Sequence, residues 1–96
     1  TGGRKIPDLA ELFNIPIATH NLGSYIQLIA NAHFGVSVRN FVMSENRIPS
    51  GGLFEEMSEE GIEVKNGLLK APAGPGLGIT LRPDVMNRII DGGKWE

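Results

Sequence analysis

The chain has no cysteine. A disulfide framework is excluded, and so is a zinc site built on thiolates. Basic residues are not in excess: nine Lys and Arg stand against eleven Asp and Glu, a net charge of −2. That balance gives no electrostatic footprint for nucleic acid or for an anionic membrane. No apolar run approaches the roughly 18 residues of a membrane span, and the start lacks the charged and apolar blocks of a signal peptide. Internal repeats and low-complexity linkers are missing as well. Together these absences favour a cytoplasmic protein with no nucleic-acid and no membrane partner.

What is present is globular. Hydrophobic residues make up 41% of the 96 positions, a fraction that builds a core rather than a disordered tail. One small domain fits this length, whereas a complete α/β barrel of roughly 250 residues does not. The opening Thr1-Gly2-Gly3 reads as a turn with no element before it. A chain whose upstream part is missing is therefore expected.

Hydrophobic spacing orders the first half. Ile6, Leu9, Ala10 and Phe13 recur at i, i+3, i+4 and i+7, one face of a helix. Pro7 suits the first turn of that helix, where its missing N–H has no partner to lose, and Asn14 is a helix stop. Residues 15–20, Ile-Pro-Ile-Ala-Thr-His, read as a short buried strand that delivers His20 at its tip. Alternation turns Pro16, Ala18 and His20 to one side and Ile15, Ile17 and Thr19 to the other. Ser24 can cap a second helix whose buried face carries Tyr25, Leu28, Ile29 and Ala32, widened by Ile26 and Ala30. Gly35 fits the left-handed residue past its end. A second strand over residues 40–45 ends in Glu45. The order helix, strand, helix, strand implies parallel neighbours, and strand tips in an α/β barrel converge on one site. His20 and Glu45 are therefore the pair to explain, and Asn21, in the loop just after His20, could touch a substrate.

The pattern then changes. Residues 48–52 form a loop, and Leu53, Phe54 and Met57 suit a short helical patch. Glu55, Glu56, Glu59 and Glu60 make its solvated outer face rather than a metal site. Asn66-Gly67, between residues 62–65 and 68–70, is the favoured two-residue hairpin turn. Residues 71–78 are a Pro/Gly-rich crossing segment. Their Gly74-Pro75-Gly76-Leu77-Gly78 matches neither glycine fingerprint and lacks the Lys-Ser/Thr ending of a phosphate loop. Asp84 can cap a last helix that runs to Ile90 and stops at Gly92-Gly93. His33 is expected to pack or cap locally, and Trp95 to anchor the tail or lie disordered.

Taken in order, Thr-Gly-Gly, a helix, Ile-Pro-Ile-Ala-Thr-His, Asn-Phe-Val-Met-Ser-Glu, Asn-Gly-Leu-Leu-Lys-Ala-Pro and Pro-Gly-Leu-Gly resemble the C-terminal part of the enolase superfamily. The resemblance covers residues 1–81 and lies in the mandelate racemase branch of the mandelate racemase/muconate lactonizing enzyme family. It implies an α/β fold, the end of a modified TIM-type (β/α)7β barrel. Residues 1–50 would supply the last two strands and their helices. Residues 51–96 would form a crossing tail, a hairpin and a helix, that packs on the barrel and on a capping domain. His20 would end the seventh strand and Glu45 the eighth.

The same resemblance implies proton abstraction from the carbon beside a carboxylate, with Mg2+ stabilising the resulting enediolate. His20 would then be the general base or acid on one face of the substrate, a role that suits an imidazole. Glu45 would be the carboxylic acid that donates a hydrogen bond to the substrate carboxylate. An aspartate that orients the histidine, the magnesium ligands and an opposing lysine would all lie upstream of Thr1, so this chain offers no metal ligand. The implied enzyme is an acid-sugar dehydratase, a hydro-lyase. Its alternatives are a racemase of a 2-hydroxy acid, a cycloisomerase of a sugar lactone, and an isolated segment without activity. Expected partners are a small carboxylate substrate, the rest of the barrel with its capping domain, and further copies of the full enzyme in a homo-oligomer.

Overall fold

The structure, a computed structural model, describes residues 2–46 and 56–92. The chain divides into two compact units, Thr1–Arg47 and Ile48–Glu96.

The first unit begins with α1, Gly2–Glu11. Gly2 and Gly3 are helical, not the turn that their composition suggests. Pro7 consequently lies inside the helix rather than in its first turn, and it is buried. An internal proline forfeits the bond to the carbonyl four residues back. Asn40 binds this part of α1 from outside, its Nδ2 donating to the Pro7 carbonyl at 3.1 Å and to that of Ile15 at 3.0 Å. Asn14 ends the helix as expected. Its φ is 53°, and Ile15 N donates to Ala10 O while Asn14 N donates to Glu11 O, both at 3.0 Å. These two bonds are the Schellman pattern, with an asparagine tolerating the left-handed position. The expected buried stripe is not buried: Ile6, Leu9 and Phe13 are exposed, because no described element covers that face.

The strands are β1, Ile17–Thr19, and β2, Phe41–Ser44, and they pair in parallel. Between them runs α2, Tyr25–Ser37, with Ser24 as N-cap, its Oγ accepting from Gln27 N. Tyr25, Leu28 and Ile29 are its buried core residues, whereas Ile26 and Ala30 are exposed. Gly35 corrects an expectation. It is not the left-handed residue past the helix end but lies inside α2, because the Phe41 ring packs on it: a Cβ there would meet two ring carbons at 2.9 Å.

In the second unit, residues 57–59 run antiparallel to residues 80–82. Ser58 bridges Leu81, Glu59 N donates to Thr80 O, and Arg82 N donates to Met57 O, the last two at 3.0 Å. Met57 and Val85 are fully buried. Of the expected helical patch, residues 53–55 lie outside the described residues, and the described part is turn and bend rather than helix. Strands β3, Val64–Lys65, and β4, Leu68–Leu69, make the expected hairpin. Asn66 and Gly67 both have positive φ, 53° and 74°, as a type I′ turn requires. Helix α3 is Pro83–Ile90, and its N-cap is Arg82. Asp84 therefore lies in the first turn, where it pairs with Arg82 at 2.9 Å rather than capping. The Arg82 hydrogen bond holds the Asp84 carboxyl below its usual range.

Candidate active site

His20 and Glu45 each stand one residue beyond the C-terminal end of a strand. The register decides whether they meet. Ile17 is level with Phe41, but Ala18 is level with Met43 and Thr19 with Ser44. Strand β2 thus carries one extra residue between its first two rungs. In an unbroken register His20 would face Ser44, and Glu45 would lie one step too far along. The irregularity brings Glu45 level with His20 and, by alternation, onto the same side of the sheet. Glu45 N continues the ladder, donating to Thr19 O at 2.8 Å.

Side chains repeat this pairing at three successive levels. Thr19 Oγ1 donates to Ser44 Oγ at 3.0 Å. Nδ1 of His20 lies 2.7 Å from Oε2 of Glu45. Asn21 Nδ2 donates to Asn46 Oδ1 at 2.9 Å. Each strand therefore ends in a hydroxyl residue, a titratable residue and an asparagine, and the titratable pair is clamped from below and above. Helix α2 holds the same loop from behind. Gln27 Nε2 and Asn31 Nδ2 each donate to the His20 carbonyl at 3.4 Å. A side chain at Gly23 would overlap the Gln27 amide in this position, and that flexible end would have to move aside.

The three sequence-derived residues fall together, but in different surroundings. The side chains of His20 and Glu45 are 71% and 59% exposed, open to a ligand. Asn21 is 2% exposed. Its amide N–H is given to Asn46 and its oxygen accepts from Gly23 N at 3.3 Å. Sequence reasoning passed over Thr19, Gln27, Asn31, Ser44 and Asn46. A signal for three of them was visible: Thr19-His20-Asn21 and Ser44-Glu45-Asn46 are matching triplets at the ends of two strands.

At the other ends of the same strands, Asn14, Pro16, Arg39 and Asn40 help line an open groove of about 340 Å³. It brings no second acid–base pair together. Among the described residues no group of three or more His, Cys, Asp or Glu is placed to hold a metal ion. Mg2+ calls for several oxygen ligands. One carboxylate already turned to an imidazole does not meet that need, so the residues present do not fit the ion.

Two parallel strands alternating with helices, with an imidazole and a carboxyl at their C-terminal ends, define a segment of an α/β fold. The chain belongs to the enolase C-terminal domain-like family, whose model matches residues 1–85. It is 37% identical over 90 residues to the D-xylonate dehydratase of Haloferax volcanii, covering 93% of this chain and 22% of that protein. Identity to the arabinonate dehydratase of Saccharolobus solfataricus is 34% over 89 residues, 88% of this chain and 24% of the relative. Among solved structures, an enolase of the mandelate racemase subgroup from Agrobacterium tumefaciens superposes with a TM-score of 0.77 at 32% identity, over 88% of this chain and 23% of that one. A mandelate racemase/muconate lactonizing enzyme from Jannaschia sp. CCS1 gives 0.77 at 36% identity, over 88% and 22%. The chain therefore has the fold of a C-terminal part of enolase-superfamily proteins and spans less than a quarter of the length of these relatives.

Proposed function

We propose that this chain supplies two acid–base positions to an acid-sugar dehydratase of the enolase superfamily. The observation that carries this reading is the His20–Glu45 pair, level with each other at the C-terminal ends of adjacent parallel strands. The names of the curated relatives supply the substrate class: sugar acids with a hydroxyl on the carbon next to the α-carbon.

In such a substrate a base removes the α-proton and the neighbouring C–O bond breaks. The hydroxyl departs as water once it receives a proton, and the enol that remains becomes a 2-keto acid. His20 holds and delivers protons at this centre, because an imidazole gives and takes them near neutral pH. Glu45 donates a hydrogen bond to the substrate carboxylate as charge gathers there. Asn21 acts on substrate binding through the loop it holds, since its own amide is committed to Asn46 and Gly23. Mg2+, if the assembled enzyme uses it, is held by residues outside this chain.

The remaining expectations belong to the same proposal. The apolar face of α1 and the exposed Val42 and Met43 of β2 would be covered by the rest of the barrel, with a capping domain over the site. The complete enzyme is proposed to assemble as a homo-oligomer in the cytoplasm. No helix among the described residues is long and apolar enough to cross a membrane. The 96 residues alone are expected to be inactive.

The test is to supply D-xylonate, arabinonate, gluconate and galactonate to the assembled enzyme and to measure 2-keto acid formation. Turnover of at least one sugar acid supports the proposal. A second reading, a racemase or cycloisomerase, draws on the mandelate racemase and muconate lactonizing names of the structural relatives. It predicts deuterium uptake at the α-carbon from heavy water with no keto acid. Neither product nor exchange would remove both.

A further inference from the structure

On the side of the two strands turned away from His20 and Glu45, four polar side chains form one connected run of hydrogen bonds. Alternation puts Thr19 and Asn21 opposite to His20. Burial follows it: Ile17 and Thr19 are half-buried and Asn21 is buried, whereas Ala18 and His20 are exposed. Thr19 Oγ1 donates to Ser44 Oγ at 3.0 Å, and Ser44 Oγ donates in turn toward Asn46 Oδ1 and the Glu45 carbonyl, both at 3.4 Å. Asn46 Oδ1 also accepts from Asn21 Nδ2 at 2.9 Å, and Asn21 Oδ1 accepts from Gly23 N at 3.3 Å. We infer that Thr19, Ser44, Asn46 and Asn21 are positioning residues that act as one unit, holding the ends of β1 and β2 level so that both reactive side chains reach the same substrate. The inference rests on the proposed acid–base reading of His20 and Glu45. It concerns where the two strand ends stand, not the orientation of the imidazole ring.

Such a unit is needed because the observed register has a competitor. Without the extra residue in β2, Thr19 would face Met43, His20 would face Ser44 and Asn21 would face Glu45. None of the three cross-strand side-chain contacts could then form, so the run of bonds favours the offset register over the plain one. Its direction is fixed as well. The Gly23 N–H claims the oxygen of Asn21, which turns the Asn21 amide N–H toward β2. Only an acceptor can meet it there, and Asn46 supplies its oxygen to Asn21 and Ser44 together. An acid in place of Asn46 keeps that acceptor. An acid in place of Asn21 sets oxygen against oxygen.

Amide hydrogen exchange of the assembled enzyme, with no substrate present, reads the unit directly. The reporter is the Glu45 N–H, which donates to Thr19 O at 2.8 Å just past the offset. Asn46→Ala, at an exposed position, should lower its protection relative to the intrinsic rate by about two- to tenfold, while amides in the middle of α2 keep theirs. Asn46→Asp should restore the protection, and Asn21→Asp should not. In parallel, kcat for keto-acid formation should fall by roughly tenfold to a hundredfold in Asn46→Ala, with KM moving less, and should recover in Asn46→Asp. Thr19→Val, with Thr19→Ser as its rescue, asks the same question from the other end of the run should Asn46→Ala lose its fold. Unchanged Glu45 protection overturns the inference. So does a loss shared equally with α2, which is a general loss of stability, and so does wild-type kcat despite lost protection. An enzyme that forms no keto acid at all refutes the dehydratase reading instead, and the exchange result then still decides whether these four side chains hold the strand ends.

Discussion

Replacing His20 by Asn separates chemistry from architecture. The side chains of His20 and Glu45 are 71% and 59% exposed. A polar side-chain pair so open to water contributes about 0–1 kcal/mol to stability. The backbone supports of this position do not involve the imidazole: Gln27 and Asn31 bind the His20 carbonyl, and Asn21 binds Asn46. His20→Asn in the assembled enzyme should therefore shift the thermal midpoint by no more than a few degrees, in proportion to about 1 kcal/mol. Removing a general acid–base group costs on the order of 10² to 10⁴ in rate. That loss is about 3–5 kcal/mol of transition-state stabilisation, several times the structural effect. Keto-acid formation from the preferred sugar acid is the assay, run beside a melting curve on the same preparation. The fall should be in kcat. Wild-type kcat with an unchanged melting curve refutes the assignment. A lost rate accompanied by a collapsed fold refutes the claim that the site is supported independently of the imidazole.

Four further outcomes follow from the same geometry. Asn21→Ala should cost about 0.5–1.5 kcal/mol, the net worth of a hydrogen bond, because it removes the buried amide that ties Asn46 and the Gly23 N–H; denaturant unfolding of the assembled enzyme measures it, and a change below the error of the fit counts against a supporting role. Gly78→Ala should destabilise by about 2–4 kcal/mol, the sum of a left-handed residue and an overpacked contact, because φ is +70° and the new Cβ would meet Gly74 N at 2.9 Å and Pro72 C at 3.0 Å, backbone atoms that cannot swing aside; an unchanged midpoint would contradict it. Thr80 N donates to both carboxyl oxygens of Glu60, at 3.0 and 2.8 Å, and these bonds hold Glu60 below the usual glutamate range. The contribution of this clasp is complete above that usual range and is lost as pH falls through the lower folded value, so the protection of the Thr80 amide relative to its intrinsic exchange rate should fall only in acid, and protection that does not change through the carboxylate range removes the clasp. Finally, residues 1–96 expressed alone should unfold without cooperativity or self-associate, since β1 and β2 pair only with each other among the described strands and leave unpaired edges; a sharp transition from a proven monomer would refute this.

The chain was legible where one residue type settles one local question. Asn14 tolerates the left-handed stop, Ser24 accepts at the helix start, and Asn66-Gly67 can be little else than a tight turn. Elements went astray where the deciding partner is distant in sequence. Gly35 looks like a helix terminator until the Phe41 ring fills the space that its missing side chain leaves. Gly2 and Gly3 look like a turn, yet they are the first residues of α1. Asp84 has the composition of a cap, but Pro83 already occupies the first helical position, so the cap falls on Arg82. The apolar period of α1 identified a helix correctly and said nothing about whether its face is covered.

The site shows the same division. Strand ends and residue types picked out His20 and Glu45, but sequence order alone could not say that they are level. A parallel pair with matched lengths puts Glu45 beside Asn21 instead, and the imidazole would then face the Ser44 hydroxyl. One unpaired step in β2 changes this, and the step is invisible in composition because Val42 is an ordinary strand residue. Once the register is known, the two triplets explain each other. Thr19 with Ser44 and Asn21 with Asn46 are short polar side chains that reach across only when their residues are level. Their bonds therefore fix the same offset that the reactive pair needs. A strand pair that slipped by one residue would lose all three contacts together and turn Glu45 to the opposite side of the sheet. The positions that hold the register and the positions that perform the chemistry thus depend on one backbone irregularity, and neither set can be altered in length without the other.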